Sequence, residues 1–126
     1  MARILVVEDE EHVRDVVRQM LEQAGHEVEV AADGDQAMGV WERWKPDLVF
    51  TDILMPNKGG LVLIKDLRER APRLPIVATS GGGRTGKLNF LSTARTFRGV
   101  VTLKKPFSRR ELLDAVHQAL ATAARA

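Results

Sequence analysis

The chain has 126 residues, 44% of them hydrophobic and 29% charged, enough apolar content for one packed core and too little length for two. It contains no cysteine, which excludes a disulfide framework, thiolate catalysis and cysteine-ligated zinc or iron–sulfur centres. The formal net charge of +2 conceals a segregation: Arg70 to Arg110 holds ten basic residues and no acid, and the remainder holds nine basic residues against 17 acidic ones.

The N-terminus, MARILVVEDEEH, turns acidic after a few apolar residues, leaving no room for the apolar segment of a signal peptide. No run is long enough to span a bilayer, so a cytoplasmic location without membrane contact is expected. Residues 3 to 7 (RILVV) are apolar, rich in β-branched side chains and too short for a helix, which predicts a strand buried on both faces. Val13, Val16, Val17, Met20, Leu21 and Ala24 recur at helical spacing, and Gly25 ends that helix. Residues 27 to 31 alternate and predict a second strand nearer an edge.

Asp33 is placed to cap a second helix carrying Ala37, Val40, Trp41 and Trp44 as a core stripe, stopped by Pro46. Residues 47 to 51 predict a third strand. A loop with Pro56, Gly59 and Gly60 leads to a helix bearing Leu61, Ile64 and Leu67. Pro72 and Pro75 bracket the turn into a fourth strand at 76 to 79. Three glycines and a weak helix around Leu88 and Leu91 precede a fifth strand at 100 to 103. Ser108 and Glu111 form a capping box for a last helix with Leu112, Leu113, Val116 and Leu120. Five alternations of strand and helix predict an α/β, doubly wound, five-stranded parallel sheet with helices on both faces. Residues 1–126 are expected to form one domain, ordered over about 3–122, with a short alanine-rich tail and no output domain.

Ligands of open parallel sheets sit beyond the carboxyl ends of the strands. There this sequence places Glu8 and Asp9, Asp52, Ser80, and Lys104, Lys105 and Pro106. Singly, each is explained by a helix cap, a turn or a solvated surface. Together, three carboxylates, a hydroxyl and an ammonium converge on one rim, and clustered carboxylates repel unless a cation joins them. An all-oxygen donor set suits Mg²⁺. A cation beside a carboxylate nucleophile, with a lysine and a hydroxyl opposite, suits phosphoryl transfer.

The ordered motifs ILVVEDE, DLVFTDILMP, PIVATSG and LKKPF resemble the response-regulator receiver domains of two-component signalling, along essentially the whole chain. The resemblance implies a flavodoxin-like receiver fold in which Asp52 accepts a phosphoryl group from a sensor histidine kinase or a histidine phosphotransfer protein. It further implies that Glu8, Asp9, Asp52 and the backbone carbonyl of Leu54 hold Mg²⁺, and that Ser80 and Lys105 contact phosphoryl oxygens. The Gly81 N–H is expected to be a further donor, and the Lys105–Pro106 bond to be cis. Such a chain is a phosphoacceptor with slow self-catalysed phosphorylation and dephosphorylation, not a metabolic enzyme. Its downstream target is expected on the face made by the helix around Leu88 and Leu91, the last strand and the last helix, where many of the basic residues fall; a homodimer is left open.

Three positions depart from the family pattern. Gly59 replaces the usual aspartate before Gly60, which weakens the cap of that helix. Thr102 replaces the aromatic switch residue that moves in concert with the Ser80 hydroxyl, and Leu54 brings no polar side chain to the site. Thr102 sustains a rival reading, a constitutive adaptor with the fold but not the switch. A second rival is nucleotide binding through Gly81 to Lys87, which nearly spells a P-loop but has Leu88 where a magnesium-binding hydroxyl belongs. His12, His26 and His117 lack ligand spacing, and the basic stretch lacks the interleaved aromatics of a direct nucleic-acid surface.

Overall fold

The computed structural model describes residues 2–53, 59–80 and 99–125. Among these, five strands and four helices alternate: β1 (Arg3–Val7), α1 (Glu11–Gln23), β2 (Glu27–Ala31), α2 (Gly34–Trp44), β3 (Leu48–Asp52), α3 (Gly60–Arg70), β4 (Ile76–Ser80), β5 (Val100–Lys104) and α4 (Arg109–Arg125). The strands form one parallel sheet in the order β2-β1-β3-β4-β5. β1, β3 and β4 are interior and buried nearly throughout, whereas β2 and β5 are edges and only partly covered.

Side chains alternate across a strand, and because both faces are covered the interior strands are mainly apolar, with Thr51, Asp52, Thr79 and Ser80 gathered at the carboxyl ends of β3 and β4. Leu5, Val7, Val49, Ile76 and Ala78 pack against Ala37, Met38 and Val40 of α2 and Leu63, Ile64 and Leu67 of α3. On the opposite face Ile4, Val6, Leu48, Phe50 and Val77 meet Val17 and Leu21 of α1 and Leu112, Val116 and Ala119 of α4. Each fully buried Leu, Ile or Phe contributes roughly 2 kcal/mol, and the two layers offset the polar burial found at the sheet rim.

The helix boundaries follow the local chemistry. Asp33 Oδ1 accepts from the Gln36 N–H at 2.9 Å, and Ser108 and Glu111 exchange bonds of 3.0 and 2.8 Å between side chains and backbone. At the end of α1, Gly25 (φ +95°) donates to the Glu22 carbonyl and His26 to that of Leu21. This Schellman closure requires a left-handed residue. The α3 cap is weaker, as expected: Gly59 makes no side-chain capping bond.

Two details differ from the sequence reading. β3, β4 and β5 each run one residue further, so Asp52 and Ser80 are the last strand residues rather than the first loop residues. The ladder continues past them, with Ile53 N–H donating to the Thr79 carbonyl and Lys105 N–H to that of Ser80. Trp41 and Trp44 are half-buried boundary residues rather than full core. Their rings carry the Lys45 ammonium at 3.9 Å and the Arg3 guanidinium at 5.7 Å, which keeps one face of each polar. The weak helix around Leu88 and Leu91, the P-loop-like run and the part of the basic stretch that holds Arg84, Lys87, Arg95 and Arg98 lie outside the described residues.

Candidate functional site at the carboxyl end of the sheet

Chain order reverses direction between β1 and β3, because β2 lies to one side of β1 and β3, β4 and β5 to the other. At such a switch point the crossovers diverge and leave a crevice at the carboxyl ends of the two strands. Glu8 and Asp9 follow β1 directly, and Asp52 ends β3. One carboxylate oxygen from each of the three lies within 4.8 Å of the others.

These acids are not solvated surface. Glu8 is 1% exposed and Asp52 6%, and only Asp9 reaches water. Lys105, 97 residues along the chain from Glu8, donates to Glu8 Oε1 at 2.8 Å and to Asp52 Oδ2 at 3.3 Å. The cis bond between Lys105 and Pro106 turns the chain immediately after this lysine.

Burial pushes the Glu8 carboxyl up to about 7, assisted by a hydrogen bond to Asp52 and opposed by the bond from Lys105. Burial pulls Lys105 down, but its bonds and charge contacts with Glu8 and Asp52 outweigh that and hold it above the usual lysine range. One ammonium therefore serves two buried carboxylates of a cluster of three. Glu8 Oε2 is buried without a hydrogen-bond partner among the described residues, an oxygen lone pair held out of water. The donor set is all oxygen and the local charge is negative, which fits a hard divalent cation.

Ser80 closes β4 at 3% exposure, one position beyond Thr79, the register partner of Asp52. Thr79 is itself fully buried, with no hydrogen-bond partner for its Oγ1 among the described residues. The site thus joins the sequence-selected residues Glu8, Asp9, Asp52 and Lys105, with Ser80 on the adjoining strand end; Leu54 and Gly81 lie outside the described residues. Thr102 is half-buried on β5 opposite Ala78. His12, His26 and His117 do not join the acid cluster.

Two residues at the site escaped the sequence reading of roles. Gly60, considered there only as a helix start, packs so closely on the end of β3 that a Cβ would fall 2.2 Å from the Asp52 carbonyl oxygen and 2.6 Å from the Ile53 Cα. Arg14 reads as one more charge on the polar face of α1, yet its guanidinium reaches the Glu8 carbonyl at 3.1 Å. A glycine at the first helical position was a usable signal for the former. Nothing in the spacing marked the latter.

A doubly wound parallel sheet with an acid triad and one lysine at its switch point defines a class of phosphoryl-handling α/β modules. The family model for the response regulator receiver domain matches residues 4–117, and the chain belongs to that family. It is 30% identical over 121 residues to protein CcdB of Bacillus subtilis, covering 95% of this chain and 98% of that protein. It is 33% identical over 115 residues to the transcriptional regulatory protein DltR of Streptococcus agalactiae, covering 90% of this chain and 50% of DltR. The crystal structure of the receiver domain of NtrX from Brucella abortus superposes with a TM-score of 0.83 at 35% identity, covering 94% of this chain and 98% of that one. The chain therefore spans nearly all of some relatives and only half of others. No helix among the described residues is long and apolar enough to cross a membrane.

Proposed function

We propose that the chain is a phosphorylation-dependent switch whose phosphoacceptor is Asp52. The observation that carries this reading is the convergence of Glu8, Asp9 and Asp52 within 4.8 Å, with Lys105 bridging Glu8 and Asp52. An Asp52 oxygen attacks the phosphorus of a phosphohistidine on a sensor kinase or phosphotransfer protein. The P–N bond breaks and its electron pair returns to the imidazole, whose other nitrogen carries a proton; the product is an aspartyl phosphate.

Glu8, Asp9 and Asp52, with the Leu54 carbonyl, are the residues that would hold Mg²⁺. Bound there, the ion supplies neutralisation of charge on the acceptor and on the equatorial phosphoryl oxygens. Lys105 exchanges its carboxylate partners for a phosphoryl oxygen, and the Ser80 hydroxyl and Gly81 N–H donate to the remaining ones. The buried walls strengthen each of these interactions. An apolar groove of about 460 Å³, lined by residues such as Val16, Met20, Pro106 and Phe107, opens beside Lys105 and gives the donor protein an approach.

Phosphorylation acts by shifting populations toward a conformation that binds a downstream target, in the cytoplasm where the donor's kinase domain works. With Thr102 in place of an aromatic, the shift runs through the backbone of β4 and β5, whose residues Ser80 and Lys104 are register partners. The test is exposure to a small acyl phosphate with Mg²⁺, read by intact mass. One added phosphoryl group on the unmutated chain and none on Asp52→Asn is expected. No addition with several donors, or equal addition to both proteins, overturns the reading; target binding unchanged by phosphorylation favours the adaptor.

A further inference from the structure

We infer that Arg14 is a positioning residue for the divalent-cation site, acting through the backbone that carries Asp9; the inference rests on the site reading above. The connection from β1 to α1 is three residues long, Glu8 to Glu10, and two of them are the acids of the site. Its first N–H is held from the sheet, where Glu8 donates to the Ala31 carbonyl at 3.1 Å. Its first carbonyl is held from the helix, where Arg14 Nη1 donates to Glu8 O at 3.1 Å. The ordinary clasp is missing, since the N-cap residue Glu10 makes no side-chain capping bond.

Asp9 depends on this arrangement more than Glu8 does. The Glu8 side chain is buried and gripped by Lys105. The Asp9 carboxylate is exposed and has no side-chain hydrogen bond among the described residues. Its place in the cluster is set by the peptide that joins it to Glu8, whose oxygen Arg14 holds. Arg14 is suited to this because its planar guanidinium stays protonated and reaches a fixed direction, and because it bonds a neutral carbonyl rather than occupying a carboxylate lone pair.

Two effects of Arg14 on cation affinity oppose each other. Its charge repels a divalent ion, but the side chain is partly exposed, and solvent screens that repulsion strongly. Loss of a group that orients a ligand typically lowers metal affinity about tenfold or more. Orientation therefore outweighs repulsion, and the sign of the change separates the two.

The measurement is Mg²⁺ binding by calorimetry to the whole chain and to Arg14→Ala, Arg14→Lys and Arg18→Ala, with the amide resonance of Asp9 followed in metal-free protein. Arg18 lies on the same helix but pairs with Asp15 and Glu22, which makes it the control for charge alone. Arg14→Ala is expected to weaken binding about tenfold and to move the Asp9 amide; Arg14→Lys, which keeps charge and one donor, should fall between it and the unmutated chain. Arg18→Ala should leave both readouts in place. Binding by Arg14→Ala that is unchanged or tighter, or an equal loss in Arg18→Ala, overturns the inference. Should Arg14→Ala not fold, Arg14→Lys decides, since an unmoved affinity and Asp9 amide there overturn it equally. Absence of binding to the unmutated chain overturns instead the site reading on which it rests.

Discussion

The two ends of the sheet treat polar groups in opposite ways. At the amino end, charges stay at the surface and find partners: the Arg3 N–H donates to Asp47 Oδ2 at 2.8 Å, its guanidinium donates to the Trp44 carbonyl at 2.7 Å, and the Ala2 N–H donates to His26 Nδ1 at 3.1 Å. At the carboxyl end, Glu8 and Asp52 are withdrawn from water and share one lysine, and Glu8 Oε2 and Thr79 Oγ1 have no hydrogen-bond partner among the described residues. The same strands run through both ends, so the difference is not one of fold. An end that serves only folding satisfies its polar groups, and an end that awaits a ligand leaves some unsatisfied.

The largest expected effect comes from crowding the carboxyl end. Gly60→Ala places a Cβ against the backbone of Asp52 and Ile53, which cannot yield as a flexible side chain would. A loss of about 3 kcal/mol by denaturant titration is expected, at the upper end for overpacking. Lys105→Met comes next. It strands two buried carboxylates, and after discounting for the lysine's partial exposure the loss at pH 8 is about 2 kcal/mol, shrinking at pH 5 as Glu8 takes a proton. Thr79→Val removes an orphaned hydroxyl at nearly constant volume and should stabilise the chain by about 1 kcal/mol; destabilisation would mean that the hydroxyl has a partner in solution.

A pair of pH effects of opposite sign follows from the same contrast. Burial, with the nearby N-terminal amine and His117, holds His26 below the usual 6.5. The unfolded chain therefore binds more protons there, and this contribution is complete above 6.5 and lost as pH falls through the lowered range. Glu8 is raised from 4.5 to about 7, so the native state binds more protons and its contribution, complete below 4.5, is lost as pH rises through about 7. Thermal midpoints in metal-free buffer should show His26→Asn removing a slope on the acid side and Glu8→Gln removing one of opposite sign.

Much of this contrast was legible in the sequence, for reasons that also explain what was not. The interior strands announce themselves because burial on both faces demands unbroken apolar runs, and the caps at Asp33 and Ser108 because a backbone N–H must find an acceptor within three residues. Strand ends were placed one residue early at Asp52 and Ser80, since a polar side chain suggests a loop while the backbone ladder continues beneath it. Spacing puts Trp41 and Trp44 deeper than they lie, because it does not say which face of an indole a neighbouring cation will cover. The pairing of Glu8 with Lys105 and the reach of Arg14 back to the strand end are tertiary facts, since no period in the sequence connects residues 97 apart or singles out one charge on a polar helix face.

The withheld stabilisation at the carboxyl end can be measured directly, by following the thermal midpoint against Mg²⁺ concentration for the unmutated chain and for Asp52→Asn. A cation bound only by the native state raises stability by RT ln(1 + [Mg²⁺]/Kd), about 2.7 kcal/mol at a hundredfold excess over Kd. The expected result is a rising midpoint for the unmutated chain, with Asp52→Asn starting higher by about 1 kcal/mol through relief of like charge and gaining far less from Mg²⁺. A flat response of the unmutated chain, or a metal-free Asp52→Asn that is the less stable protein, would contradict the claim that this end of the sheet is built for a ligand.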